Sequence, residues 1–197
     1  MYIIIGLGNP GEEYKNTRHN TGAVIVEAFR RAEDFPDWKE DKKLKALISE
    51  GKIGKEKITL VFPETFMNKS GLSTAPLIKS QKAAEKLIVV HDDLDLPLGR
   101  MKISFNRGLG GHKGLESIKR AIKTEGFMRI RIGISPSTPS GKIKKPHGED
   151  KVTDFILGKF KKSEEKVLKK IANEASKALA MIVTEGREKA TQIVNQA

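Results

Sequence analysis

An α/β fold, one domain with a mixed β-sheet covered by helices, is predicted by three features of this sequence. Short apolar runs at residues 3–5 and 87–90 have the length and density of strands buried on both faces. Helical apolar spacing appears between them and again towards the C-terminus. The remaining apolar residues mostly alternate with polar ones, as in strands with one face in the core.

Taken in order, Ile3, Ile4 and Ile5 form the first strand, and Gly6, Gly8 and Asn9-Pro10-Gly11 form a turn in which the backbone lies close to something. Residues 21–33 place Ile25, Ala28, Phe29 and Ala32 on one helical face, with Thr21 as N-cap. Residues 44–49 and 58–62 alternate around a turn at 51–54 and predict a hairpin. PETFMNKSG, residues 63–71, is a loop before a helix capped by Ser70 or Ser73. Residues 87–90 end in His91-Asp92-Asp93, the strand end at which open α/β sheets place ligands. A turn over 94–99, a strand at 101–105, a glycine-rich loop at 107–114 and a helix at 115–124 follow. Met128, Ile130, Ile132 and Ile134 anchor a strand that carries Arg129 and Arg131 on its other face. Residues 135–150 are too polar to pack and, like the glycine-rich loop, predict a mobile flap. A helix over 163–185 buries Leu168, Ile171, Ala175, Ala178 and Ile182 and stops at Gly186.

With 197 residues the chain suits one domain spanning 1–197. Its net charge of +12 points to a polyanionic partner, and the charge is concentrated: nine basic residues lie between Arg100 and Arg131 against only Glu116 and Glu125. The absence of cysteine excludes disulfides and thiolate chemistry. No run approaches the roughly 20 apolar residues that cross a bilayer, and no signal peptide opens the chain, so a cytoplasmic protein with no membrane partner is expected.

Gly6, Gly8 and Gly11 match a dinucleotide fingerprint, but Glu12 and Glu13 would face the phosphates and no helix opens at the loop. The four histidines show no metal-binding spacing, so neither metal nor cofactor is expected. What remains is a histidine with a carboxylate. If the strands ending at Ile5 and Val90 are neighbours, His19 and Asp92 meet at the sheet edge, with Asp92 orienting the imidazole and His19 taking a proton from water. Asn9, Asn20 and Asn68 are candidate amide donors to substrate or to a developing oxyanion.

GLGNPGEEYKNTRHNTG, FMNKSG, HDDLDLPLG and GLGGHKGLESI, in this order and spacing, resemble the bacterial-type peptidyl-tRNA hydrolases, and the likeness runs from Ile3 to Lys159. The resemblance implies a monomeric, cofactor-free esterase that frees tRNA from peptide. It gives His19 the role of general base, Asp92 that of its partner, and Asn9 and Asn68 that of positioning substrate. Tyr14 and Phe66 would line the tRNA and peptide side of the cleft, and Arg131 with Lys102 would hold phosphate. Lys113 stands where the family usually has an asparagine that helps hold tRNA and order the catalytic water, and Ser104 where some relatives have a phosphate-binding lysine. A non-catalytic RNA-binding protein on the same fold is the alternative.

Overall fold

A computed structural model describes residues 1–138 and 140–196. Seven strands form one mixed sheet: β1 (Tyr2–Gly6), β2 (Lys39–Asp41), β3 (Ala46–Ile53), β4 (Glu56–Pro63), β5 (Leu87–Pro97), β6 (Met101–Phe105) and β7 (Met128–Ser135), in the order β2-β3-β4-β1-β5-β7-β6. β1 lies in the interior of the sheet, parallel to β4 and β5, which accounts for its unbroken apolar run. β5 is parallel to β7, while β3–β4, β2–β3 and β6–β7 are antiparallel.

The helices are α1 (Thr21–Ala32), the one-turn α2 (Gly71–Thr74) and α3 (Gln81–Ala84), α4 (Lys113–Ile122), α5 (Glu149–Leu157), α6 (Lys162–Glu185) and α7 (Arg187–Gln196). On one side of the sheet, Ile4, Ile58, Val90 and Ile130 pack with Ile25 and Phe29 of α1 and Ile171, Ala175 and Ile182 of α6. On the other, Ile3, Ile5 and Val89 pack with Leu115 and Ile118 of α4. β1, β4 and β5 thus divide their alternate residues between two cores, whereas β7 gives Met128, Ile130, Ile132 and Ile134 to the α1–α6 side alone.

One close approach positions the site. A Cβ on Gly22, in the first turn of α1, would lie 2.2 Å from the Val90 carbonyl oxygen and 2.6 Å from Leu7 N. Only glycine lets this helix start press against the ends of β1 and β5, a contact between Gly22, three residues after His19, and Val90, two residues before Asp92. Gly6 and Gly8 face α1 and Asn20 in the same way, so the glycine turn serves packing between elements rather than a nucleotide.

The structure departs from the sequence reading in several places. Thr21 opens α1 instead of capping it, its hydroxyl donating to the Arg18 carbonyl. Ser70 precedes α2 but donates to the Met67 carbonyl rather than accepting at the helix start. The expected turn at 94–99 is mostly strand: β5 runs to Pro97, with a register shift between Asp93 and Pro97. The polar segment 135–150 gives its first residue to β7, forms a Ser137–Ile143 bridge and ends in α5 at Glu149; Pro139 lies outside the described residues.

Candidate active site

His19 sits on a 3-10 turn (Arg18–Asn20) between β1 and α1, and Asp92 sits on β5 just beyond the part paired with β1. Both side chains are buried, and His19 Nδ1 lies 3.0 and 3.1 Å from the two carboxylate oxygens of Asp92. His19 Nε2 has no hydrogen-bond partner among the described residues. The imidazole is therefore held at one nitrogen and available at the other.

A third group converges on the carboxylate. His112 caps α4, with Nδ1 accepting the N–H groups of Gly114 and Leu115 at 3.2 and 3.5 Å. That occupation puts the proton of the neutral ring on Nε2, which donates to Asp92 Oδ1 at 2.9 Å. Burial pushes the Asp92 carboxyl up, but the charges of His19 and His112 and their hydrogen bonds outweigh it and hold the group well below the usual carboxylate range. Asp92 is thus an anion throughout the physiological range.

His91 points elsewhere. Its Nδ1 donates to the Asp92 carbonyl at 2.7 Å, its Nε2 is buried without a partner, and burial, reinforced by the charge of His112, lowers its pKa from 6.5 to about 3. It is a neutral ring in the wall of the cavity beside the site, its centroid 4.9 Å from that of His112.

The donor atoms of His19, Asp92 and His112 lie within 4.8 Å of one another, so their fit to a metal ion is a fair question. His112 answers it. A metal on Nε2 would leave the proton of a neutral ring on Nδ1, facing two backbone N–H donors. The cluster fits hydrogen bonding to a carboxylate better than it fits a cation.

Asn9 is fixed on three sides. Its N–H donates to Asn20 Oδ1, its carbonyl accepts from Asn20 Nδ2, each at 2.9 Å, and its own Oδ1 accepts the Met67 N–H at 2.8 Å. With the amide oxygen committed, Asn9 Nδ2 is left as a donor without a partner among the described residues. Asn68 is exposed on the 3-10 turn whose first N–H meets Asn9. Tyr14 and Phe66 meet edge to face, with ring centroids 6.2 Å apart, and Phe66 is exposed.

A cavity of about 550 Å³ opens beside His19 and Asp92, walled by the glycine-rich loop, Lys113 and Arg131, and by Val152 and Ile156 of α5. Arg131 reaches it with Nε paired to Asp93 Oδ2 at 2.6 Å, which orients the guanidinium and leaves both terminal nitrogens unpaired among the described residues. Lys102 is exposed on edge strand β6, directly opposite Arg131 in the ladder, and Ser104 is opposite Arg129. Arg129 is buried, and its terminal nitrogens donate to the Arg107 and Gly108 carbonyls at 2.8 Å, tying down the base of the glycine-rich loop. Lys113 is exposed and 3.6 Å from Glu149 of α5 across the cavity mouth.

Two contributors escaped the sequence reading. His112 reaches Asp92 only through the fold, and its one local signal is a histidine immediately before a helix. Arg18 anchors the His19 turn to the junction of α5 and α6. It donates to the Lys159 carbonyl and to Glu164 at 2.9 and 2.8 Å and lies 4.5 Å from the Phe155 ring centroid.

The whole chain matches known proteins at this point. The family model for peptidyl-tRNA hydrolase matches residues 3–197. The chain belongs to the peptidyl-tRNA hydrolase family. A peptidyl-tRNA hydrolase of Bdellovibrio bacteriovorus is 38% identical over 197 residues, covering 99% of this chain and all of the relative, and that of Thermodesulfovibrio yellowstonii is 36% identical over the full length of both. The crystal structure of peptidyl-tRNA hydrolase from Acinetobacter baumannii superposes with a TM-score of 0.86 at 32% identity, covering 99% of this chain and 94% of that one. The mixed sheet with helices on both faces is therefore the family fold.

Proposed function

We propose that the chain hydrolyses the ester joining a peptide to the terminal ribose of tRNA, with His19 as general base. The observation that carries the mechanism is the buried His19–Asp92 pair with His19 Nε2 unengaged. Water in the cavity gives a proton to Nε2 as its oxygen attacks the ester carbonyl, and the anionic Asp92 stabilises the imidazolium that forms. Asn9 Nδ2 donates to the oxyanion of the tetrahedral intermediate, its direction set by the Met67 N–H on Oδ1. Collapse breaks the bond to the ribose oxygen, which takes the proton back from His19. The products are a peptide acid and tRNA.

Positive charge at Arg131, Lys102 and Lys113 suits the phosphates of the acceptor end, and the Met67 N–H bond to Asn9 and the Tyr14–Phe66 ring contact support a role for Asn68, Tyr14 and Phe66 in contacting the acyl end and terminal nucleotide. No cofactor enters these steps, and one protomer carries all the groups they use. No helix among the described residues is long and apolar enough to cross a membrane. A protein that only bound RNA would have no use for a buried histidine–carboxylate pair with a free base.

Incubation of N-acetylaminoacyl-tRNA with the purified protein tests the reading. Release of N-acetyl amino acid and deacylated tRNA is the expected result. Tight binding with the ester left intact would overturn it in favour of RNA binding alone.

A further inference from the structure

Asp92 fixes the ring of His19, but the backbone of the His19 turn is fixed from elsewhere. After His19, Asn20 bonds Asn9. Before it, Arg18 grips the junction of α5 and α6. Its N–H donates to the Gly158 carbonyl at 3.0 Å, Nη1 to the Lys159 carbonyl at 2.9 Å and Nη2 to Glu164 Oε2 at 2.8 Å, while Thr17 bridges to Lys159. The guanidinium lies over two rings, 4.5 Å from the Phe155 centroid and 5.1 Å from that of Phe160, and its Nε is buried without a partner among the described residues. From this arrangement we infer that Arg18 is a positioning residue, which makes the alignment of His19 depend on the seating of α5 against the contents of the cavity.

The inference rests on His19 being the base of the proposed reaction, and the packing of α5 supplies the reason for it. α5 has no fully buried residue and starts from Gly148 at a φ of 90°, so few contacts hold it in place. Its Val152, Thr153 and Ile156 line the cavity, and Phe155 among them meets Arg18. An ester in the cavity gives Val152 and Ile156 a surface to cover, which seats the helix. A seated α5 keeps Phe155 on the guanidinium, one residue from His19.

Glu164 gives the linkage its direction. The Oε2 that pairs with Arg18 also accepts the Lys161 N–H at 2.7 Å, at the start of α6, and α6 is anchored in the core through Leu168, Ile171 and Ala175. Arg18 is thus strung between a fixed helix and a lightly held one. Only a planar fork serves both, because it can donate to Lys159 and Glu164 while presenting its face to Phe155; an ammonium keeps the charge and loses the plane.

The test measures kcat, KM and melting temperature with N-acetylaminoacyl-tRNA for wild type, Arg18→Lys, Phe155→Leu, Phe155→Tyr and the double variant of Arg18→Lys with Phe155→Leu. Phe155→Leu removes the ring and leaves the Arg18–Glu164 pair in place. It is expected to lose about tenfold in kcat with KM within about twofold of wild type, the worth of a desolvated cation–ring contact. Phe155→Tyr keeps the ring face and should restore kcat to within about twofold. Arg18→Lys should lose about tenfold to a hundredfold in kcat, as a base slightly out of place does. The double variant should lose no more than Arg18→Lys alone, because both changes break one linkage.

Losses that multiply in the double variant, equal losses from Phe155→Leu and Phe155→Tyr, an unchanged kcat in Phe155→Leu, or a loss confined to KM would each overturn the inference. Should Arg18→Lys not fold, Phe155→Leu against Phe155→Tyr still decides, since Phe155 is only half-buried. Wild type that leaves the ester intact would defeat the proposed reaction and this inference with it. Hydrolysis by wild type with any of the contrary patterns would defeat the inference alone.

Discussion

His112 donates from Nε2 to Asp92 Oδ1 at 2.9 Å because the start of α4 has already engaged its other nitrogen. A helix cap therefore fixes a tautomer, and the tautomer supplies a second donor to the carboxylate that holds His19. The two functions of one ring can be separated. Asparagine is a strong N-cap but does not span the distance to Asp92. His112→Asn is expected to melt within a few degrees of wild type while kcat falls about tenfold, the worth of a hydrogen bond to a charged group. Unchanged kcat would reduce His112 to a cap.

Gly22 is the hinge between packing and chemistry. Gly22→Ala puts a methyl 2.2 Å from the Val90 carbonyl oxygen, a backbone atom that cannot rotate away. The expected cost is on the order of 3 kcal/mol in urea unfolding, together with a loss of turnover, because α1 and the His19 turn must shift together. Wild-type stability and turnover would show that the helix start is not held where the structure has it.

His91 gives the stability a pH dependence. Its pKa is about 3 when folded and 6.5 otherwise, so between these values the unfolded chain binds a proton that the folded chain does not. This contribution is full above about pH 6.5 and is lost as pH falls towards 3, at about 1.4 kcal/mol per pH unit. His91→Asn keeps a donor for the Asp92 carbonyl and removes the titration. Urea unfolding at about pH 5 and pH 6.5 should show a smaller fall for the variant than for wild type; equal falls would assign the loss to other groups.

Much of this was readable before any coordinates, and the rest was hidden for physical reasons. β1, β5 and α6 carry enough apolar residues to declare themselves, and His19 and Asp92 follow once two strand ends are neighbours. β2 is three charged residues held by its pairing with β3. α7 is a mostly polar helix that gives only Ala190 and Val194 to the core, and it is further secured by Asn195 bonding both Ile103 N and Ile103 O at the sheet edge and by Arg187 over Phe105. α5 places Val152, Phe155 and Ile156 at helical spacing, but the polar stretch before it masked so short a pattern. His112 and Arg18 act across 20 and 146 residues of chain, distances at which local spacing is silent.

Lys113 faces Glu149 across the cavity mouth at 3.6 Å, and both side chains are exposed, so the pair is easily parted by an incoming phosphate. Lys113→Asn is expected to weaken tRNA binding and to flatten the dependence of log K on log salt by roughly one contact, with turnover at saturation equal or higher. Glu149→Gln should act in the opposite sense, tightening binding at low salt by freeing the ammonium. Lower saturated turnover in Lys113→Asn with unchanged binding would give the lysine a part in the chemistry instead.

The central claim is that His19 takes the proton of the attacking water while Asp92 holds it in place. Turnover of saturating N-acetylaminoacyl-tRNA by folded His19→Ala, measured beside its tRNA affinity, tests this most directly. A loss of about 10² to 10⁴ in kcat with affinity and its salt dependence unchanged is the predicted result. Turnover within a few-fold of wild type would contradict it.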